Sequence, residues 1–178
     1  MGGASFDESI PFKGLRIAVM TVSDTRTEAT DKSGAYLVES ALAAGHQVMD
    51  KVIVPDDRKR IEVQLRRWVN EPNIEVVLAT GGTGVTVRDV TPEAFEAVWE
   101  KPIPGFGELF RTLSYEQIGT STIQSRACAG VARGTYLFAL PGSTGACKDA
   151  WTGILRYQLD IRHRPCNFAE LIPRLMAG

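Results

Sequence analysis

A glycine-rich segment is the first part of the sequence whose residue types could bind a ligand. It directly follows a short apolar run and consists of Thr80-Gly81-Gly82-Thr83-Gly84. Glycine lets the backbone adopt positive φ angles and approach a ligand closely, so the N–H groups of this loop, with the Thr83 hydroxyl, could hold a phosphate group. It is neither a Walker A loop, which needs a following Gly-Lys-Ser/Thr, nor a GxGxxG motif, because Val87 stands at the third glycine position. On residues alone, a phosphate-binding loop and an ordinary tight turn are equally good interpretations.

Two aspartates, Asp56 and Asp89, are the second feature that could do chemistry. A single loop aspartate is most often a turn or helix-capping residue, but two carboxylates beside a phosphate-binding loop are a common way to hold Mg²⁺. Arg88 precedes Asp89 and could pair with it, contact a phosphate or remain solvated. Asp57 is interpreted as a helix cap, since a negative charge is favourable at a helix N-terminus. We therefore expect Asp56 and Asp89 to be the ligands of a Mg²⁺ ion.

Short apolar runs that end at these polar segments predict the strands that position them. The runs cover residues 15–22, 46–54, 74–79 and 135–140, and such runs are typical of strands buried on both faces. They are followed in turn by Ser23-Asp24, by Asp56-Asp57, by the glycine-rich loop and by Pro141-Gly142-Ser143. In open α/β sheets, ligands bind outside the carboxyl ends of the strands. We therefore expect the four loops to converge on one cleft.

Helical patterns of apolar residues alternate with these strands. Asp31 or Ser33 can cap the helix after the first strand, and Thr91 is the predicted N-cap of a later helix that begins at Pro92. Strands that alternate with helices predict an α/β protein. The expected fold is a three-layer α/β/α sandwich with a central, mainly parallel β-sheet.

The remaining segments set the expected domain organisation. Residues 1–14 contain three glycines and little periodicity and are predicted to be a flexible N-terminal arm, whereas residues 15–178 are expected to form a single domain. A helix is predicted over residues 106–116, where the apolar face around Phe106, Leu109 and Phe110 would favour burial in a homo-oligomer. Another helix is predicted over residues 146–160. The segment 120–133 has no clear pattern.

The composition excludes several classes of protein. The 178 residues are 44% hydrophobic and 23% charged with a net charge of −1, which argues against a disordered chain, a collagen-like repeat or a coiled coil. Near-neutral charge supplies no electrostatic drive towards nucleic acid, and no apolar run approaches the roughly 18 residues of a membrane span. Cys128, Cys147 and Cys166 lack metal-binding spacing and suit a reducing compartment, so we expect a cytoplasmic protein. His163, flanked by arginines, is predicted to lie at the surface or an interface.

Several ordered motifs resemble the signature of the molybdenum cofactor biosynthesis MoaB/MogA family. They are the glycine-rich loop, residues 88–94 (Arg-Asp-Val-Thr-Pro-Glu-Ala), residues 104–108 (Pro-Gly-Phe-Gly-Glu) and residues 140–143 (Leu-Pro-Gly-Ser). Residues 113–121 and 164–168 are similar to the MoaB branch of that family. The resemblance spans about residues 15–168, which is nearly the whole chain.

The resemblance implies a fold, an assembly and an activity. Members of the family are three-layer α/β/α proteins that assemble as trimers or hexamers. They bind molybdopterin and Mg-ATP, transfer AMP to the terminal phosphate of the pterin and release pyrophosphate; a molybdate-insertion protein then uses the product. Matched by position, Asp56 and Asp89 correspond to the two catalytic aspartates and residues 81–84 to the phosphate-binding loop. Ser23-Asp24 and Pro141-Gly142-Ser143 correspond to ligand-binding loops, and Arg88 lies within the matched motif of residues 88–94.

Two other functions stay open at this point. One is a non-catalytic molybdopterin-binding or scaffolding oligomer that keeps the fold without turnover. The other is a nucleotide- or flavin-binding module without relevance to molybdenum, which would make the motif matches coincidental. The presence of both Asp56 and Asp89 favours the enzyme, because a protein that only binds has no reason to assemble a metal-like pair.

Overall fold

The computed structural model of the chain describes residues 5–176, in which strands and helices alternate. The strands are β1 (Ser5–Phe6), β2 (Arg16–Val22), β3 (Gln47–Val54), β4 (Val76–Thr80), β5 (Lys101–Pro102), β6 (Cys128–Ala132), β7 (Thr135–Leu140) and β8 (His163–Arg164). The α-helices are α1 (Lys32–Ala43), α2 (Arg58–Val69), α3 (Thr91–Glu96), α4 (Pro104–Ile118), α5 (Thr144–Ala150), α6 (Arg156–Gln158) and α7 (Phe168–Leu171). A π-helical turn over Trp151–Leu155 joins α5 to α6, and 3-10 turns cover Gly119–Gln124 and Ile172–Arg174.

The main sheet aligns the carboxyl ends of its parallel strands. Among the described residues it has six strands in the order β3-β2-β4-β7-β6-β5; β3, β2, β4 and β7 are parallel, and β6 pairs antiparallel with β7 and β5. Thr80 at the end of β4 lies opposite Thr21 of β2 and Leu140 of β7. Val22 lies opposite Val54 of β3 in the same way. The loops that follow these four strands therefore leave from one edge of the sheet.

The sheet separates two hydrophobic cores. In β2, Ile17 and Val19 belong to one core, and Ala18 and Met20 belong to the other, because successive side chains of a strand point to opposite faces. Helices α1, α4 and α5 supply residues to the first core, and α2 and α3 supply residues to the second. This confirms the predicted three-layer α/β/α fold with a mainly parallel sheet. No helix within residues 5–176 is long and apolar enough to cross a membrane.

Two residues of the predicted N-terminal arm belong to a second, two-stranded sheet. Ser5 and Phe6 form β1, which pairs antiparallel with β8; residues 1–4 of the predicted arm lie outside the described residues. The Phe6 ring stacks on Tyr157 at 5.9 Å between ring centroids and also contacts the ring of His163. His163 is buried in this small ladder, which corrects its predicted surface position. The flanking arginines suggested exposure, but they leave the histidine ring itself free to pack on aromatic rings.

The structure also shows how the predicted helices and the unclear segment around α4 are arranged. Phe106 and Phe110 pack inside the first core and only Leu109 is exposed, so their burial does not require a subunit contact. The unclear segment 120–133 contains a 3-10 turn and then β6, which pairs antiparallel with β7 across a two-residue turn at Arg133 and Gly134. The helix predicted over 146–160 runs from Thr144 to Gln158 with the π-helical turn in its middle.

Candidate functional site

The four predicted loops meet at the carboxyl edge of the sheet. A cleft of about 230 Å³ is lined by residues from each of them: Ser23 after β2, Asp56 after β3, Gly81, Gly82 and Asp89 after β4, and Gly142 after β7. The structure therefore brings Asp56 and Asp89 together beside the glycine-rich loop. This juxtaposition follows from the strand register, since all four loops leave the sheet at the same edge.

The first two glycines of the loop occupy conformations and spaces that side chains would not fit. Gly81 has a φ of +106° and a Cβ atom on it would stand 2.2 Å from the Val22 carbonyl oxygen. Gly82 has a φ of +66°, and a Cβ on it would meet the Thr91 hydroxyl at 2.4 Å. The Gly81 N–H donates to the Leu140 carbonyl oxygen at 3.0 Å. The turn is thus wedged between the ends of β2 and β7.

Thr91 stabilises this turn and does not cap its own helix. Its hydroxyl donates to the Gly81 carbonyl oxygen at 2.8 Å, and its N–H donates to the Gly82 carbonyl oxygen at 3.0 Å. Helix α3 begins at Thr91 itself, and Val90 precedes it without a side-chain cap. The prediction of Thr91 as N-cap is therefore wrong. A fully buried hydroxyl must use its hydrogen bond on a nearby acceptor, and here the nearest one belongs to the glycine-rich loop.

A second pocket of about 390 Å³ adjoins the cleft. It is lined by Gly82, Asp89 and Gly142, which also line the cleft, and in addition by Thr83, Gly84, Pro141 and Ser143. Its far wall consists of apolar and neutral polar residues of α4 and the 3-10 turn: Phe110, Ser114, Ile118, Ser121 and Gln124. The predicted binding residues other than Asp24 and Arg88 thus line a polar cleft, a more apolar neighbouring pocket, or both.

Asp89 is held as an ionised carboxylate. Its Oδ2 accepts hydrogen bonds from the Thr86 N–H at 2.8 Å and the Thr86 hydroxyl at 2.7 Å. Partial burial alone would raise the pKa of Asp89, but the hydrogen bonds from Thr86 and Gly84 and the charge of Arg126 outweigh it and lower this pKa below its ordinary value. A carboxylate fixed in its charged form is suited to attract a cation.

Asp56 has the opposite electrostatic setting. Its Oδ2 accepts the Asp24 N–H at 3.1 Å, while its own N–H donates to Asp24 Oδ1 at 3.0 Å. Burial raises the pKa of Asp56, and the neighbouring charges of Asp24 and Asp89 raise it further. A bound cation would relieve this repulsion, because a positive charge favours the ionised form of both aspartates.

Arg88 pairs with Asp24 and not with its neighbour Asp89. Its guanidinium donates to Asp24 Oδ2 through Nη2, and through Nε at 3.1 Å. Both side chains are exposed beside the cleft, so Arg88 joins the loop after β4 to the loop after β2. Asp24 in turn positions the backbone at Asp56. The lowered pKa of Asp24 reflects first of all the hydrogen bond from Arg88.

Sequence reasoning missed part of the cleft. Asp31 caps α1 as predicted, with its Oδ1 accepting the Gly34 N–H at 2.9 Å, but it also lines the cleft at only 3% exposure. Its Oδ2 accepts the Thr21 hydroxyl at 2.7 Å and lies 3.1 Å from Lys51 Nζ. Thr21, Arg26 and Ser33 line the cleft as well. The position of Asp31 shortly after the first strand was the available signal, but a capping role explained it sufficiently.

The protein oxygen atoms around the cleft are too few to bind a metal ion by themselves. Within residues 5–176, no group of three or more His, Cys, Asp or Glu side chains could hold a metal ion. Asp56 and Asp89 supply at most two of the roughly six oxygen ligands that Mg²⁺ requires. The pair therefore fits Mg²⁺ only when phosphate oxygens and water complete its coordination, as in a metal–nucleotide complex.

Comparisons with known proteins show which family the chain is similar to. Residues 18–161 match the family model described as a probable molybdopterin binding domain. Molybdenum cofactor biosynthesis protein B of Escherichia coli (strain K12) is 53% identical over 160 residues, which cover 90% of this chain and 94% of that protein.

Solved structures show the same likeness. A crystal structure of molybdenum cofactor biosynthesis protein B has 45% identity and a TM-score of 0.80 over 83% of this chain and 92% of that one. The tungsten cofactor synthesizing protein MoaB from Pyrococcus furiosus has 37% identity and a TM-score of 0.72 over 80% and 91%. The chain therefore belongs to the MoaB/MogA family of molybdenum cofactor biosynthesis proteins.

Proposed function

We propose that the protein transfers AMP from Mg-ATP to the terminal phosphate of molybdopterin and releases pyrophosphate. The observation that carries this proposal is the placement of Asp56, Asp89 and the glycine-rich loop on one cleft. A nucleotide polyphosphate needs donors for its oxygens and compensation for its charge, and this cleft offers both types of group.

The two adjoining pockets match the two parts of the proposed reactants. The polar cleft is suited to phosphate groups, whereas the larger pocket, with Phe110 and Ile118 on one wall and Ser114 and Gln124 among its polar residues, is suited to a flat heterocycle. Gly82, Asp89 and Gly142 line both. A phosphate attached to a ring in the larger pocket could therefore reach a nucleotide phosphate in the cleft.

Adenylyl transfer depends mainly on alignment and charge neutralisation. An oxygen of the pterin phosphate attacks the α-phosphorus of ATP, the bond to pyrophosphate breaks, and no covalent enzyme intermediate is needed. Mg²⁺, when bound with ATP, neutralises charge on the phosphate oxygens. The role of this chain is to hold the phosphates with loop N–H groups and to present Asp56 and Asp89 to the metal–nucleotide complex.

The decisive experiment is an AMP-transfer assay on purified protein with molybdopterin and ATP, with and without Mg²⁺. We expect adenylylated molybdopterin and pyrophosphate in equal amounts, and their loss when Mg²⁺ is chelated. Molybdopterin binding without either product would contradict the proposal and favour a binding or scaffolding protein. The binding alternative is worth testing because, among the described residues, no group of three or more His, Cys, Asp or Glu side chains could hold a metal ion without the nucleotide.

Assembly and downstream transfer remain proposals of the same kind. We propose a homo-oligomer, a trimer or a hexamer, that passes its product to a molybdate-insertion protein. Exposed apolar side chains on α4 and the 3-10 turn, including Leu109, Tyr115 and Ile123, support a contact between subunits. We further propose that the protein works in the cytoplasm, since its three free cysteines suit a reducing compartment.

A further inference from the structure

Arg126 donates three hydrogen bonds to the loop between β4 and α3 without lining the cleft or the adjoining pocket. It lies after the 3-10 turn and before β6, in the segment without a readable sequence pattern. Its Nε donates to the Gly84 carbonyl oxygen at 2.7 Å, and its Nη2 donates to the Asp89 carbonyl oxygen at 2.8 Å. Its backbone N–H donates to the Thr83 carbonyl oxygen at 2.9 Å.

These contacts tie the two ends of one loop to a single guanidinium. Gly84 ends the glycine-rich segment and Asp89 carries the ionised carboxylate, so one planar fork fixes the spacing between them. Because a peptide group is planar and trans, holding the two carbonyls also sets the direction of the N–H groups of Val85 and Val90. A lysine could not reproduce this arrangement, since its ammonium group lacks the rigid fork of an arginine.

A glutamate holds the guanidinium in place. Arg126 Nη1 forms an ion pair with Glu93 Oε1 on α3, and both side chains are partly buried. The Glu93 carboxylate and the Asp89 carbonyl oxygen therefore bind the same guanidinium from the two ends of residues 89–93, where the chain enters α3. The positive charge of Arg126 also contributes to the lowered pKa of Asp89 and of Glu93. The group thus links the loop, helix α3 and the start of β6.

We infer that Arg126 is a positioning residue for adenylyl transfer: it fixes the spacing between the glycine-rich loop and Asp89 through three nitrogens and one ion pair. This inference rests on the proposed function. Arg126 lines neither the cleft nor the adjoining pocket, although it lines a third pocket with Thr86, Asp89 and Glu93. The role inferred for it is exerted through its hydrogen bonds to the loop.

The test compares Arg126→Ala with Arg111→Ala as a matched control. Arg111 also donates to a backbone carbonyl, that of Ala127 at 3.2 Å, but it does not reach the loop. For Arg126→Ala we expect the KM for ATP to rise about ten- to a hundredfold, the effect expected when charge-assisted hydrogen bonds are lost. Amide hydrogen exchange over residues 83–90 should accelerate, and millimolar methylguanidinium should partly restore both values. Arg111→Ala should lower thermal stability without either change.

The possible results separate an error in the role of Arg126 from an error in the proposed function. An unchanged KM and unchanged exchange in folded Arg126→Ala, or the same changes in Arg111→Ala, would overturn the role of Arg126. If Arg126→Ala does not fold, Arg126→Lys takes its place, and wild-type KM and exchange in that variant would overturn the role equally. Failure of the wild-type protein to transfer AMP would instead overturn the proposed function, and the positioning role of Arg126 in that reaction with it.

Discussion

At the scale of single residues, the two aspartates of the cleft are not equivalent. Asp89 receives two hydrogen bonds from Thr86 and has a lowered pKa, so it is ionised at neutral pH at little cost. Asp56 is partly buried between Asp24 and Asp89 and has a raised pKa. We infer that Asp89 is a preformed anionic group, whereas the ionised form of Asp56 is disfavoured by burial and by its acidic neighbours and would gain more from a cation in the cleft.

The first prediction concerns the charge of Asp89. Asp89→Asn keeps an oxygen that can accept from Thr86 but removes the negative charge, so turnover should fall about a hundredfold or more, as for other lost electrostatic contacts to a transition state. Asp57→Asn is the matched control, because Asp57 is exposed and caps α2 and asparagine caps a helix equally well. Wild-type AMP transfer by folded Asp89→Asn would contradict the assigned role.

The second prediction concerns stability and pH. A carboxyl group with a raised pKa stabilises the fold fully below its unfolded value of 3.8, and this contribution is lost as the pH rises through the folded pKa. Asp56→Asn should therefore raise the melting temperature at pH 7, and the difference should vanish near pH 3, where Asp56 is protonated in both states.

Asp89→Asn serves as the comparison of opposite sign. Its lowered pKa means that ionised Asp89 stabilises the fold above pH 3.8 and loses this effect as the pH falls. The variant should consequently melt at a lower temperature than wild type at pH 7. Thermal denaturation followed by circular dichroism from about pH 3 to pH 8 measures the melting temperatures of both variants. If both variants changed the melting temperature in the same direction at pH 7, the distinction between the two aspartates would be refuted.

At the scale of elements, the connection from β4 to α3 determines the shape of the cleft. Its glycines fit against the ends of β2 and β7, and Thr91 and Arg126 bind its carbonyl oxygens. The turn is therefore held from the core side and from the side of β6. A connection fixed at this many points can present its remaining N–H groups to a ligand without a further ordering cost on binding.

The third prediction tests the requirement for glycine in this connection. Gly81→Ala combines a positive φ with a Cβ only 2.2 Å from the Val22 carbonyl oxygen, so the free energy of unfolding should fall by at least about 1 kcal/mol. Gly105→Ala is the control, since a Cβ there meets no atom within 4 Å and the residue lies in helix α4. Urea denaturation of both variants measures the difference; equal stability would show that the turn tolerates a side chain.

At the scale of the whole molecule, the site depends on the sheet register and on the two cores that hold it. Core residues such as Leu65 and Trp68 on one side and Leu37 and Phe110 on the other keep the helices against the sheet. The strand ends then stay aligned, and four separate loops form one cleft. Any ligand that binds this cleft only in the native state should accordingly stabilise the entire fold.

The fourth prediction follows from this coupling. Mg-ATP at a hundred times its dissociation constant should stabilise the native state by about 2.7 kcal/mol, which corresponds to a rise in melting temperature of roughly 5 to 10 °C for a chain of this length. Adenosine, which lacks the phosphates, is the control and should give no comparable shift. The absence of a shift with saturating Mg-ATP would count against nucleotide binding in the cleft.

The fifth prediction concerns assembly. Light scattering on the purified protein should give three or six times the chain mass of 19.4 kDa. If the apolar residues of the 3-10 turn contact another subunit, replacing the exposed Ile123 by glutamate should reduce that mass. Val63→Glu, at an exposed position of α2, is the control and should leave the mass unchanged. A monomeric mass for the wild-type protein would contradict the proposed oligomer.

The sequence by itself determined the four parallel strands, the layer arrangement and the residues at the ends of those strands, because buried parallel strands and glycine-rich turns leave local patterns. It placed Asp56, Asp89 and residues 80–84 at one edge of a sheet, and the fold agrees. Local patterns also identified Asp57 as a helix cap and Asp31 as one of two candidates, because in each case the carboxylate accepts a hydrogen bond from the backbone N–H three residues later.

Only the tertiary structure decided which partners these residues have. The pairing of Arg88 with Asp24, the hydrogen bond from Thr91 to Gly81 and the fork of Arg126 all join segments that are distant in the chain or outside any periodic pattern. The opposite pKa shifts of Asp56 and Asp89 likewise arise from burial and from charges on other loops. A hydrogen bond or a charge interaction depends on distance in space, and that distance exists only once the sheet and its two cores have formed.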